Sequence, residues 1–287
     1  MRHTPTSSAS ARPDRARRRL DQLLVEQGLA PTRAEAARLI LAGRVRLAGR
    51  PAAKAGQLVR PTARPELAMV SPYVGRGGEK LAAALDAFGI DPGNRVCLDV
   101  GASTGGFTDC LLQRGARRVY AVDVGRGQLH PRLRSDPRVI VIEGVNARHL
   151  DPARFPEPPS LATVDVAFIS LEKVLPAIAS SLAGSVGTRA RPEILALVKP
   201  QFEVGRGRVG KGGVVRDHQR QAEVIVRIAT FARTHGLGPR GVAASPLRGA
   251  KGNREFFLHL RPGDAAPLDE SALTAAVQAA VTAGGVP

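Results

Sequence analysis

The sequence predicts an α/β protein in which a small α+β domain precedes a larger doubly wound α/β domain. Short apolar strand patterns alternate with amphipathic helical patterns from about residue 95 onward, as a doubly wound sheet requires. A glycine-rich loop follows the first of these strands. We expect a disordered basic tail over residues 1–14, the first domain over 15–64, a linker over 65–74 and the second domain over 75–287.

Charge and composition narrow the classes of function. The net charge of +17 indicates an anionic partner. Residues 1–64 hold 14 basic and 4 acidic residues, a net +10, which favours a local phosphate-binding surface over uniform genome bias. Two cysteines exclude a disulfide framework and a thiolate zinc site, and six scattered histidines suggest no other metal. No apolar run reaches the ~18 residues of a membrane span and no secretory signal is evident, so we expect a cytoplasmic protein without a membrane partner.

The first domain begins with two predicted helices. Apolar residues at helical spacing predict the first helix, which ends at Gly28. Thr32 and Glu35 have the spacing of a capping box and predict the start of the second, which ends at Gly43. Alternation of apolar and basic residues then predicts a short strand over residues 45–47.

The second domain is predicted from apolar runs and helical periodicity. The predicted strands cover residues 96–98, 118–122, 139–142, 164–170, 194–198, 242–244 and 256–260. The predicted helices cover residues 79–88, a segment opening near 107, and residues 174–182, 222–234 and 270–283.

The glycine loop is the first candidate for ligand binding. Asp99 ends the first predicted strand, and Gly101, Gly105 and Gly106 follow before a helix that opens near Phe107. Ligands of open α/β sheets bind beyond the strand ends, where glycine permits close approach of the backbone. The spacing differs from the dinucleotide-binding fingerprint, so the loop alone leaves a nucleotide-like ligand and a merely tight turn equally open.

Polar residues at the ends of the following strands favour the ligand. Asp123 ends the second strand, where an acid can accept hydrogen bonds from both hydroxyls of a ribose. Asn146 follows the third strand, near the expected adenine position. Lys199 follows the fifth strand at once and is held by Pro200, so it is unlike an ordinary solvated lysine. These residues together predict a cofactor site.

The first domain resembles the S4 domain, a small RNA-binding module named after ribosomal small-subunit protein four. The resemblance covers about residues 18–64 and rests on Arg19-Leu20-Asp21, Thr32-Arg33, Ala36 and the spacing of Ile40, Gly43 and Val45. A generic basic helical bundle is the alternative. The resemblance implies binding to structured RNA, through the side chains of Arg18, Arg19, Arg33, Arg38 and Arg44.

The second domain resembles Rossmann-like methyltransferases that use S-adenosyl-L-methionine. The motifs RGGEKL, LDVGASTGGFTD, AVDVGRGQL, DVAFISL, LVKPQFEVGRG and GNREFF occur in the order typical of the TlyA family of rRNA 2'-O-methyltransferases, whose catalytic domain is similar to the FtsJ (RrmJ) enzymes. With the S4-like domain, the resemblance covers about residues 15–283. One departure is the linker, where residues 71–74 read SPYV in place of an aromatic tetrapeptide.

The resemblance implies a catalytic set of Lys80, Asp165, Lys199 and Glu255. A ribose hydroxyl is a weak acid, so its methylation needs a base and an in-line approach. A second cation and partial burial favour the neutral, basic form of a lysine. Lys199 is therefore interpreted as the general base, Lys80 as its cationic neighbour that also holds the ribose, Asp165 as the residue that orients Lys199, and Glu255 as a positioning carboxylate. A salt-bridge network at the sheet edge is the structural alternative.

The resemblance also implies the remaining site residues. S-adenosylmethionine is expected to contact eight residues: Asp99, Gly101, Ser103, Gly105, Phe107, Asp123, Asn146 and Asp165. The basic loop over residues 205–217 reads as a mobile, phosphate-contacting segment that includes Arg206 and Lys211.

The expected substrate is a cytidine ribose in 16S and 23S rRNA within the small and large ribosomal subunits, and no protein partner is evident. A base N-methyltransferase is disfavoured because the segment from Asp165 to Phe168 lacks the two prolines of the Asn/Asp-Pro-Pro-aromatic motif. Two alternatives stay open: a non-catalytic RNA-binding or ribosome-assembly factor, and a haemolysin, a name that members of the family also carry.

Overall fold

The structure, a computed structural model, describes residues 17–41, 43–52, 54–67, 71–185, 191–205, 207–264 and 266–283. The chain forms two compact units, Met1–Val70 and Ser71–Pro287. The expected tail over 1–14 and the predicted RNA contact Arg206 lie outside the described residues, as does the side chain of Lys211.

The first unit is a small α+β domain. Its elements are β1 (Arg18–Arg19), α1 (Leu20–Glu26), α2 (Arg33–Leu41), β2 (Val45–Leu47), β3 (Arg50–Pro51), β4 (Leu58–Val59) and β5 (Pro65–Leu67). The Oγ1 atom of Thr32 accepts a hydrogen bond from the backbone N–H of Glu35 at 3.2 Å, so the predicted cap is present. Strand β5 pairs with β2 and lies at the start of the range 65–74, which the sequence predicts to be the linker.

The second unit contains a mostly parallel sheet. Its elements are α3 (Gly77–Phe88), β6 (Val96–Val100), α4 (Gly106–Gln113), β7 (Arg118–Asp123), α5 (Pro131–Arg134), β8 (Val139–Glu143), β9 (Leu161–Val164), α6 (Leu175–Leu182), β10 (Glu193–Val198), α7 (Pro200–Glu203), α8 (His218–Thr234), β11 (Leu237–Ala244), β12 (Phe256–Pro262) and α9 (Glu270–Thr282).

The strand order is β11-β12-β10-β9-β6-β7-β8, and β12 pairs antiparallel with both β10 and β11. Successive side chains of a strand point to opposite faces, and both faces are covered. Leu98 packs into a core with α6, α8 and α9, whereas Cys97 packs into a second core with α3 and α4. This arrangement confirms the predicted doubly wound α/β fold. No helix among the described residues is long and apolar enough to cross a membrane.

The fourth predicted strand was placed too late in the sequence. The strand is Leu161–Val164, and residues 165–170 leave the sheet. All four strand residues are fully buried between β6 and β10, whereas Phe168 is 90% exposed and has a φ of +62°, which a sheet does not accommodate. Asp165 therefore directly follows the strand, and its backbone N–H donates to the carbonyl of Val100 at 2.9 Å.

A buried ionic cluster joins β10 and β12 at the end of the sheet where the parallel strands begin. Glu193 accepts hydrogen bonds from Arg95 and Arg261, each at 2.8 Å, and lies 3.1 Å from Nε2 of His259. Burial alone would raise the pKa of Glu193, but the hydrogen bonds from His259, Arg95 and Arg261 lower it to about 2. Removal of one member of this cluster would leave another buried charge without its partner.

Candidate active site

A cavity of about 560 Å³ opens at the carboxyl ends of β6, β7, β8 and β9. This is the edge at which open α/β sheets bind their ligands, and the volume suits a small molecule. Five of the predicted cofactor residues line it: Gly101, Ser103, Asp123, Asn146 and Asp165. Val122, at the end of β7, and the loop residues Val124 and Val145 add an apolar surface.

Glycine is required at two positions of the loop after β6. Gly101 has a φ of +86°, and a Cβ atom there would lie 2.4 Å from the carbonyl oxygen of Asp165. Gly105 has a φ of +98°, and its Cβ atom would lie 2.3 Å from a methyl carbon of Leu133. Gly101 thus forms part of the cavity wall, whereas the space beside Gly105 is filled by protein.

Asp123 is held in the cavity wall by backbone groups. One carboxylate oxygen accepts from the N–H of Ser103 at 2.8 Å, and the other accepts from the N–H of Gly125 at 2.7 Å. A carboxylate oxygen accepts more than one hydrogen bond, so both retain capacity for ligand hydroxyls. The arrangement suits a vicinal diol.

Asp99 does not line the cavity. Its side chain is fully buried below the loop and accepts hydrogen bonds from the hydroxyls of Thr108 at 2.6 Å and Thr163 at 3.2 Å. Burial raises the pKa of Asp99 to about 7, and the charge of Asp165 acts in the same direction. Asp99 connects the strand, the following helix and β9, so its geometry is that of a support for the loop.

Phe107 is buried and borders a smaller cavity of about 120 Å³, whose wall also includes Gly101, Ser103 and Asp165. Its ring lies 6.0 Å from that of Phe257. Phe107 is thus a core aromatic ring beside the smaller cavity, whereas Gly101 lines both cavities.

The four predicted catalytic residues form two ion pairs. Lys199 Nζ lies 2.5 Å from Asp165 Oδ1, and Lys80 Nζ lies 2.6 Å from Glu255 Oε2. The side chains of Lys199 and Lys80 are only 13% and 12% exposed, so both ammonium groups are largely removed from water. Of these four residues, Asp165 lines the cavity, so its ion pair places Lys199 next to the cavity wall.

Strand pairing explains how these residues meet. Val198 and Phe256 are register partners in β10 and β12, Lys199 directly follows the first, and Glu255 directly precedes the second. The carboxylate of Glu255 also packs on Gly249, where a Cβ atom would lie 1.8 Å from Oε1. The structure therefore presents the lysine and the glutamate at one edge of the sheet.

Asn253 anchors the basic glycine loop to the same edge. Its buried amide donates to the carbonyl of Gly213 at 2.9 Å and accepts from the N–H of Val215 at 3.1 Å. Gln221 donates to the carbonyl of Val215 at 2.8 Å. The second half of this loop is thus fixed beside Glu255 by two side-chain amides. The sequence did not distinguish these amides from ordinary polar residues.

Phe168 was not predicted as a site residue. It borders the main cavity, is 90% exposed, and its ring centroid lies 4.8 Å from that of Phe202. Gln128 and Arg148 also line this cavity. The positive φ of Phe168 marks it as an unusual position in the structure. The sequence pattern predicted a strand for this segment and therefore did not single out Phe168.

In the first unit, Asp21 organises two of the predicted RNA-binding arginines. Its carboxylate lies 2.9 Å from Arg19 and 3.2 Å from Arg33, and both arginines are about half exposed. The hydrogen bond from Arg19 holds the pKa of Asp21 at about 2. Arg18 and Arg38 are exposed and pair with glutamates of their own helical region, and Arg44 is half-buried.

Comparison with known proteins finds a matching family for each of the two units. Residues 73–262 match the model of FtsJ-like methyltransferases and residues 18–64 match the S4 domain. A 16S/23S rRNA (cytidine-2'-O)-methyltransferase TlyA of Mycobacterium tuberculosis is 47% identical over 93% of this chain and 98% of its own. Hemolysin A of Brachyspira hyodysenteriae is 40% identical over 84% of this chain and 98% of its own. A solved structure from Streptococcus thermophilus, described as a candidate hemolysin, covers 93% of this chain and 96% of its own with a TM-score of 0.71 and 39% identity.

Proposed function

The chain belongs to the TlyA family, which joins an S4 domain to an FtsJ-like methyltransferase domain, and we propose that it methylates cytidine 2'-hydroxyls in 16S and 23S rRNA. The chain is thus an S-adenosylmethionine-dependent methyltransferase. The observation that carries the proposed reaction is the pairing of Lys199 with Asp165, because it sets a partly buried lysine beside the cofactor cavity.

The cavity residues fit S-adenosylmethionine. Asp123 has the acceptor geometry for a ribose diol, and Gly101 lines the cavity with backbone that packs against the carbonyl of Asp165. Asn146 and the neighbouring valines would hold the adenine, and Gly101 and Ser103 would lie along the methionine part. When bound, the cofactor supplies an electrophilic methyl group.

The side chains of the two ion pairs would have different roles in the reaction. Lys199, as the neutral amine, would accept the proton of the ribose hydroxyl and become the ammonium, and Asp165 would hold its Nζ in place for that transfer. Lys80 would hold the substrate ribose. Glu255 fixes the orientation of Lys80. The oxygen freed of its proton is then the nucleophile.

RNA recognition would draw on both units. The S4 domain offers arginines held by Asp21, which suit phosphate contacts at fixed positions. In the catalytic unit, the exposed ring of Phe168 at the cavity border can stack on a base that leaves its helix. Action on both subunits is supported by the name of the Mycobacterium tuberculosis relative.

The test is methyl transfer to purified 30S and 50S ribosomal subunits, followed by mass-spectrometric mapping of ribose methylation. We expect a 2'-O-methylcytidine in each subunit's rRNA. Lys199→Ala should abolish transfer, and Lys173→Ala, which changes an exposed lysine of the same unit, should not. Binding of the subunits with no methyl transfer would instead favour the non-catalytic assembly factor.

A further inference from the structure

A second cavity, of about 340 Å³, lies in the catalytic unit between the segment that follows Lys199 and helix α8. Arg208, Arg220 and Arg227 line it, over apolar side chains of Val204 and Val224. None of these arginines belongs to the two catalytic ion pairs or to the cofactor cavity. A cavity with several convergent guanidinium groups suits a phosphate.

Two of the arginines are held in place by protein groups. Arg227 pairs with Glu172 at 2.7 Å and donates to the backbone carbonyl of Glu203 at 2.8 Å. Arg220 donates to the carbonyl of Arg208 at 3.1 Å. Guanidinium groups that are already ordered lose less conformational entropy when a ligand binds.

The carboxylates of the cavity are engaged within the protein. Glu203 is buried, and one of its oxygens accepts from the N–H of Leu171 at 2.8 Å while the other lies 3.4 Å from Arg227. Glu223 accepts from Gln219 at 3.2 Å. In contrast, the Arg208 guanidinium has no hydrogen bond or ion pair within the described part of the chain. Its donors are available to an anion.

We infer that this cavity binds a backbone phosphate of the substrate RNA, next along the strand from the ribose held at Lys199. The inference rests on the proposed function. Helix α7 alone separates Lys199 from the cavity, and four helical residues rise only about 6 Å. An RNA strand carries a phosphate on each side of every ribose, so a strand with its ribose at Lys199 has a phosphate within reach of this cavity.

The experiment uses the full chain and ribosomal subunits, and measures the affinity at several salt concentrations without S-adenosylmethionine. Arg208→Gln and Arg220→Gln should each weaken binding on the order of tenfold at physiological salt. The slope of the logarithm of the association constant against the logarithm of the salt concentration should become smaller in magnitude by about 0.7 to 0.9 for each lost phosphate contact. Because the Arg208 side chain makes no hydrogen bond or ion pair among the described residues, Arg208→Gln should leave folding intact.

The matched control is Arg138→Gln, which removes the same charge beside the amino end of β8, away from the strand tips. Support requires both cavity variants to raise KM for subunits with kcat retained at saturation, while Arg138→Gln behaves as wild type. If the salt slope is the same for both cavity variants and for Arg138→Gln, the phosphate site is overturned. A cavity variant that loses kcat with no change in its salt slope would also overturn it. If wild-type protein binds subunits but transfers no methyl group, the proposed function fails while the slopes still report on the cavity.

Discussion

Lys80 and Glu255 are 175 positions apart in the chain and form an ion pair of 2.6 Å at the sheet edge. The lysine is 12% exposed and the glutamate 3%. Removal of one member of such a pair leaves the other charge poorly solvated. The pair therefore links α3, the first helix of the catalytic unit, to the residue that precedes β12, its last strand.

Glu255→Gln keeps the shape of this side chain and removes its charge. We expect kcat for methyl transfer to fall by about 10²-fold or more, because the proposed role of Lys80 depends on its orientation. Binding of S-adenosylmethionine, measured by calorimetry, should change little, since Glu255 lies outside the cofactor cavity. An unchanged kcat would contradict the positioning role.

Asp123→Asn tests the cofactor cavity. The amide cannot accept at both atoms, so it loses a hydrogen bond from Ser103 or Gly125 as well as the charge that a ribose diol would meet. We expect the Kd of S-adenosylmethionine to rise about 10- to 100-fold, the range of a hydrogen bond to a charged group. Glu143→Gln, at the end of the next strand but outside the cavity, is the control. Equal affinity of both variants would refute the diol assignment.

Asp99→Asn should change how stability depends on pH. The pKa of Asp99 is about 7 in the fold against an ordinary 3.8, so the native state retains a proton that the unfolded state releases. This contribution to stability is complete below about pH 4 and is lost as the pH rises through 7. The neutral asparagine removes that loss. The Tm of the variant relative to wild type should therefore rise by a few degrees from pH 5 to pH 8. A difference that stays constant over this range would contradict the prediction.

Asp21→Asn should destabilise the S4 domain. With a folded pKa of about 2 against 3.8, the carboxylate stabilises the fold above its ordinary pKa, and the effect is lost as the pH falls through 2. At neutral pH we expect a loss of about 1–3 kcal/mol, because two arginines lose a charged partner. Urea unfolding at pH 7 measures this loss. Glu35→Gln, whose partner Arg38 is highly exposed, should cost far less.

The sequence predicted most of the second unit because strand and helix periodicities are local properties. Its least accurate element was the fourth strand, where the apolar run continues past Val164 although the sheet does not. Residues 166–169 are apolar and line a cavity, and hydrophobicity alone does not separate a cavity wall from a strand.

The chain order of strands and helices, the polar residues at strand ends and the family motifs were determined by the sequence alone. Tertiary structure decided which of those residues face a ligand. Asp99 lies beside Gly101 in the same motif, yet its side chain points into the core towards Thr108 and Thr163, whereas Gly101 lines the cavity. The pairing of Lys80 with Glu255 and the arginine cavity beside Lys199 likewise depend on strand register and helix packing. These contacts join residues far apart in the chain, and local sequence patterns do not encode such distances.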